Sequence, residues 1–340
     1  MKTLKILTLS AVAALGLSAC SDDDDGDITA NDLSVNLYAS SNTSGNITAY
    51  KLEDDGDVEV RTLLTGSTDG EGLYVDSSED EVTQVSRSNK NIETYDDLDS
   101  TDDGDALELE GGSPVELGSP RDIAVSNNIY VVADNMDLDG DDTTAEGKLW
   151  VYTRAANTYT LTTVLTTDFA VWGIEFVGNN LYAVVDKTSD VAVFNNFTTD
   201  FNVTGPVTPS KRITIEGIVR THGIGFDDGT MILTDIGDAM SDSDGAFHII
   251  SNFETKFNGV ENGGTLAVAG NQVRVAGSNT FLGNPVNVDY DTEGNTVYIA
   301  ERANGSGRVL AFVDADAGGN ITPTINNSLN GASSVYFSED

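Results

Sequence analysis

Four residues of different chemistry stand at matching places along the chain: Glu71, Arg121, Trp172 and His222. Each directly precedes a short segment of the form small or polar, apolar, any, apolar. Together they would offer an acid, a fixed cation, an aromatic face and a titratable ring. Converging, they would suit a small ligand such as a sugar or a carboxylate. The same residues also suit an ordinary lining, with a Glu71–Arg121 pair and a packed Trp172. A second constellation runs from Asn135 to Glu146, with oxygen-bearing side chains at loop positions 1, 3, 5, 9 and 12 and Gly140 at position 6. Hard oxygens at alternate positions wrap a calcium ion, and the glycine permits the sharp turn.

The elements that position these residues repeat. The segment type recurs as Gly72–Val75, Asp122–Val125, Gly173–Phe176, Gly223–Phe226, Asn287–Tyr290 and Ser334–Phe337, roughly every 50 residues with one longer interval before Asn287. A second type follows each of the first five, as in Asn128–Val131, Asn180–Ala183 and Thr296–Ile299. Asn36–Ala39 is a copy without a leading partner. A third type appears as Ile47–Tyr50, Ile92–Tyr95, Leu149–Tyr152, Val191–Phe194, Phe247–Ile250 and Val309–Phe312. A fourth fits Val58–Leu63, Thr160–Thr166, Arg212–Ile218 and Gln272–Ala276. All are short, rich in β-branched and aromatic residues, and bounded by Gly, Asn, Asp and Ser, which are strand and turn signals. No helical stripe competes with them. Four strands per repeat predict an all-β, six-bladed β-propeller. The first copy lacks its innermost strand and the last copy is only that strand, so Ser334–Phe337 is expected to pair with the N-terminal blade and close the ring. Gly263–Gly270, in the longer interval, is read as an extra hairpin, with a seventh blade as the alternative.

Composition narrows the function classes. The 340 residues carry 56 Asp plus Glu against 17 Lys plus Arg, a formal net charge of −39, with 39% hydrophobic residues, enough for a core. A polyanion of this size repels nucleic acid and anionic membrane surfaces. The sequence has no G-x-S-x-G elbow, P-loop, H-E-x-x-H or dinucleotide fingerprint, and only two histidines, His222 and His248.

The N-terminus reads as an address. Lys2 and Lys5 precede an apolar run, Ile6 to Leu17, too short for a lasting membrane span. Leu17-Ser18-Ala19-Cys20 resembles the bacterial lipobox. That implies residues 1–19 as signal peptide, lipidation at Cys20, 20–32 as an acidic tether and 33–340 as the propeller domain. Cys20 is the one cysteine, so its lipidation would leave no thiol for disulfides, zinc or nucleophilic chemistry. Ser21–Asp27 is similar to the acidic stretch after the lipidated Cys in surface-exported lipoproteins of the Bacteroidetes. The resemblance implies a cell-envelope location, anchored to the outer membrane and surface-exposed. Membrane contact is then expected through the lipid only, with a protein or glycan partner at the surface, no nucleic acid, and a monomer.

Gln272–Ala300 and Pro209–Asp235 resemble NHL-type propeller repeats, a likeness specific for architecture and poor for function. Asp69–Asp76 is similar to the segment supplying a metal-binding Glu in gluconolactonase- and paraoxonase-type propellers, which would make Glu71 a calcium ligand. The family's Asn and Asp partners on other blades are replaced here by Arg121, Trp172, His222, Val286 and Ser333. The 135–146 loop departs from an EF-hand, with Asn at position 1, Asp142 at position 8 and no flanking helices. It is closer to calcium hairpins of other propellers, which favours Asn135, Asp137, Asp139 and Asp142 as ligands over Glu146. Asp235–Gly245 is a weaker version. The expected role is binding or scaffolding at the envelope, with structural calcium. The alternative is a calcium-assisted lactonase, hydrolase or lyase at the channel mouth.

Overall fold

A computed structural model describes residues 35–52, 58–141 and 144–339. Cys20, the signal segment and Asp142 lie outside the described residues. Strand and turn signals become antiparallel hairpins. Pro120–Ser126, Ile129–Asp134, Gly147–Ala155 and Thr158–Thr167 pair in sequence order. So do Gly70–Asp76, Glu81–Ser86, Asn91–Asp96 and Glu108–Gly112. A single parallel pair, Gly112 with Thr158, joins the outer edges of these two sets. The turns carry the residues that tolerate a left-handed backbone: Asn127 has φ 55°, and Asp228 and Gly229 have φ 36° and 81°.

The first and last described strands meet as the repeat arithmetic predicts. Ala332–Glu339 pairs antiparallel with Val35–Ser41, Tyr336 opposite Tyr38. Val35–Ser41 in turn pairs with Ile47–Leu52, and that strand with Val58–Leu63. Each set's first strand touches the next set's first strand, in the order Gly70–Asp76, Pro120–Ser126, Val171–Val177, Ile224–Asp227, Pro285–Asp291 and Ala332–Glu339. The last returns to the first. Among the described residues the core falls into six apolar clusters, each shared by two neighbouring sets of strands. One of them joins Val286 and Tyr298 to Leu37 and Tyr50, so packing closes the circle as well as pairing does.

The small or polar residue at the head of each first strand now has a cause. It faces the backbone of the neighbouring first strand. A Cβ on Gly173 would lie 2.3 Å from the His222 carbonyl oxygen. Where the residue is larger, it accepts from that backbone. Asp122 takes the Ile174 N–H at 3.0 Å, and Asn287 takes the Val335 N–H at 3.0 Å.

The long interval differs from expectation. Thr265–Leu266 is a two-residue strand laid parallel against Lys211–Ile215 of the preceding sheet, not a hairpin of its own. A short helix, Phe253–Gly259, precedes it. Phe253 and Phe257, one turn apart, bury against Tyr182 of that sheet at 5.3 Å each.

Candidate functional site

Glu71, Arg121, Trp172 and His222 converge, each at or beside the start of a first strand. Glu71 is 2% exposed. Its Oε1 accepts from Arg87 Nη1 at 3.2 Å and from Arg121 Nη1 at 3.4 Å. Burial pushes the Glu71 carboxyl up to about 7, against the pull of Arg121 and Arg87. Arg121 also donates from Nε to Asn135 Oδ1 at 2.9 Å. Its guanidinium lies 4.3 Å from the Trp172 ring centre. Trp172 stacks on His222 with centroids 3.6 Å apart and planes within 4°.

Three partners here were not singled out from sequence: Arg87, Asp186 and Arg220. Asp186 Oδ1 meets His222 Nε2 at 3.0 Å and accepts from Arg220 Nη2 at 2.9 Å. Burial opposes ionisation of Asp186, but His222 and Arg220 outweigh it and hold the carboxyl down to about 2. Burial pushes His222 down to about 4 against the Asp186 hydrogen bond. The imidazole is therefore neutral near pH 7, with its proton on Nε2 and a bare, buried Nδ1. A signal for Asp186 was present in the sequence. Acids recur at the ends of second strands, and most cap their own loop. Asp134 accepts from Gly118 and Ser119 N–H, Asp235 from Val219 N–H, and Glu301 from Gly283 and Asn284 N–H. Asp186 instead reaches into the next sheet. The four sequence-predicted residues thus form one continuous network, and its groups are consumed by one another.

The open space is lined by residues from every first strand of the ring. A cavity of about 660 Å³ is lined by Asp122, Glu175, Asp227, Asp228, Asp289, Asp291 and Glu293, with Tyr74 and Tyr336. Among the described residues, no Lys, Arg or His lines it. Burial pushes Asp122 up to about 7 despite the Ile174 N–H, and Asp289 up to about 6 despite the Phe337 N–H. Glu175 rises well above the carboxylate range through burial, then through Asp289 and Asp122. Its side chain is reached by cavity solvent yet enclosed by protein. These acids occupy the "any" position, or the head, of the repeated segment. The signal was an acid there in place of an apolar or small residue.

No protein-family model matches this chain, and no curated protein sequence does. Solved structures do. A chain of the nidogen–laminin complex superposes with a TM-score of 0.59 at 14% identity, covering 89% of this chain and 98% of its own. A candidate 6-phosphogluconolactonase from Bacteroides fragilis NCTC 9343 gives 0.58 at 12% identity, covering 92% and 100%. Another, from Bacteroides uniformis ATCC 8492, gives 0.58 at 12% identity, covering 90% and 99%. The fold is a β-propeller. At these identities the likeness extends to architecture and not to residues or activity.

In the acidic hairpin of this propeller, Asp137, Asp139 and Glu146 place carboxylate oxygens within 4.8 Å of one another, a group able to hold a metal ion. Glu146 Oε1 accepts from Leu138 and Asp139 N–H at 2.8 and 3.0 Å. Asn135 is drawn off by Arg121, so Glu146, ranked lower from sequence, stands with Asp137 and Asp139 instead. In the second acidic loop, Asp235 is committed to His248 and Arg274, at 3.5 and 3.4 Å.

Proposed function

We propose that the chain is a lipid-anchored binding module of the cell envelope, a six-bladed propeller whose recognition site is the acid-lined channel cavity. The observation that carries this reading is a cavity of about 660 Å³ whose lining, among the described residues, has seven acids and no basic side chain. Its volume lies within the range of small-molecule sites. Burial raises the proton affinity of Asp122, Glu175 and Asp289, and no basic side chain among the described residues of the lining offsets it. The six-blade count rests on the ring of first strands and the pairing of Ala332–Glu339 with Val35–Ser41. The anchor rests on the Leu17–Cys20 box, with residues 1–19 as signal and 20–32 as tether to an outer-membrane, surface-exposed domain acting as a monomer. Calcium in the Asp137–Asp139–Glu146 hairpin would brace the loop.

Glu71 is poorly placed for the alternative, a calcium-assisted hydrolase at the channel mouth. A cation there would have to displace Arg87 and Arg121. A thermal-melt screen of the full-length chain against glycans, lactones, amines and peptides tests the proposal. Ligands that raise the midpoint in the wild type but not in Glu175→Gln support it. Turnover of a lactone that survives Glu175→Gln and is lost in Glu71→Gln would overturn it.

A further inference from the structure

Resting on the reading of the cavity as a ligand site, we propose that its ligand is a small organic cation, an ammonium or guanidinium compound. It would sit between the Tyr74–Tyr336 wall and the carboxylates of Glu175 and Asp289.

The third position of the repeated segment reads, around the ring, Tyr74, Ala124, Glu175, Gly225, Asp289 and Tyr336. The two tyrosines are neighbours, packed edge to face at 5.6 Å. Both are half-buried and line the cavity. On other first strands stand the two acids, one on each side of the strand that carries Gly225. A Cβ on Gly225 would lie 2.9 Å from the Val288 carbonyl oxygen, so close packing keeps that position bare. The layer is therefore aromatic on one arc and acid–gap–acid on another.

Three observations favour an organic cation over the other ligand classes. Anions and neutral sugars leave the ionised carboxylates uncompensated, because no base among the described residues lines the cavity. Glu175 in particular meets the Phe176 backbone N–H and, among the described residues, no basic side chain. A bare metal ion needs several oxygens at one point. Among the described residues three acidic ligands come within 4.8 Å of one another only in the Asp137–Asp139–Glu146 hairpin, not in the channel. Spread N–H donors suit separated carboxylates, and tyrosine faces attract ammonium and guanidinium groups. The net charge of −39 would also steer cations toward the protein.

Binding should release protons. The groups facing Glu175 are Asp122 on the preceding first strand, Asp289 across the Gly225 strand, and Tyr336; among the described residues no cation opposes them. A bound cation favours the ionised carboxylates.

The test is isothermal titration of the full-length chain with spermidine, agmatine and calcium chloride at about pH 5.5 and about pH 7.5. Wild type is compared with Glu175→Gln, Asp289→Asn and the exposed control Asp200→Asn. Either channel substitution is expected to weaken spermidine or agmatine at least about tenfold, the control less than about twofold. Affinity should be higher at the upper pH, with proton release that depends on the buffer's ionisation heat. Equal weakening by the control and the channel variants would mean diffuse attraction to a polyanion, and overturns the proposal. Calcium binding that Glu175→Gln abolishes and spermidine does not match would replace the organic cation with a metal. A neutral or anionic compound bound in a Glu175-dependent way, with no amine bound, would overturn the ligand class alone. No ligand of any class in the channel would remove the underlying reading too.

Discussion

The two regions of the channel use ionisable residues in opposite ways. At the Glu71 end every charge has a partner. Glu71 is held by Arg87 and Arg121, Arg121 lies over Trp172, Trp172 stacks on His222, and Asp186 ties His222 to Arg220. In a chain with 17 Lys plus Arg, three arginines gathered in one network are a large commitment. In the cavity, Asp122, Glu175 and Asp289 have backbone N–H groups and each other, and among the described residues no cation. A buried charge with a partner is a structural element, and one without is a cost that a ligand can relieve. The lesson is that convergence alone does not mark a binding site. The proposed site is set apart by acids that no cation among the described residues of its lining compensates.

The strongest way to break this comparison is to remove one partner at each place. Arg121→Met should destabilise the protein by about 3–5 kcal/mol in urea unfolding, because Glu71 loses a cation and Trp172 its stacking guanidinium. Glu175→Gln should cost nothing or stabilise by about 1 kcal/mol, since it replaces a carboxyl whose ionisation burial opposes and no cation assists with a neutral group of the same shape. Equal losses at both positions would erase the distinction.

The pH dependence of the melting midpoint comes next in size. Glu71, Asp122, Asp289 and Glu175 all have folded pKa values raised above their unfolded ones, two of them to about 7. The folded state therefore binds more protons than the unfolded state from about pH 4.5 to about 7, and stability falls as pH rises through that window. His222, lowered to about 4, acts in the opposite direction as a single group. The midpoint should drop by roughly 5 °C between about pH 5 and about pH 7.5. The drop should persist in 0.5 M salt, because buried groups escape screening, and be smaller in the Glu175→Gln, Asp289→Asn double variant.

A finer probe of the closed end is Trp172→Leu. It should cost about 1–2 kcal/mol by urea unfolding and raise the His222 pKa from about 4, read by NMR titration. The smallest expected effect lies away from the channel. Millimolar calcium should raise the midpoint by about 2–4 °C through the 137–146 hairpin, and Asp137→Asn should abolish the rise without changing the pH dependence.

Much of the architecture was legible because strand and turn chemistry is local. Ser334–Phe337 carries the same pattern as Asn287–Tyr290, and its pairing with Val35–Ser41 follows from counting the copies. The convergence of Glu71, Arg121, Trp172 and His222 was legible for the same reason: equivalent positions in a ring repeat lie at one level. The 253–276 insertion was not legible. Phe253 and Phe257 make a helix because Tyr182 of the preceding sheet offers them a surface, and Thr265–Leu266 is a strand because Lys211–Ile215 offers an edge. The carboxylate group of the hairpin was partly legible, in Asp137 and Asp139 but not in Glu146. Asn135 fits the spacing rule, yet Arg121 from a neighbouring strand takes its oxygen.

By itself the sequence determined the repeat, the strand types, the turn positions, the ring closure and the excess of acid. Each of these is written in residues close to one another or in their period. Only the tertiary structure decided which acids matter. Glu175 and Asp289 sit at positions where an isolated strand would show them to water, and closing the ring turns that face inward upon a shared cavity. Whether a charge is neutralised depends on distances between strands some 50 residues apart or more. The same closure that hands Glu71 its arginines leaves Glu175 with none.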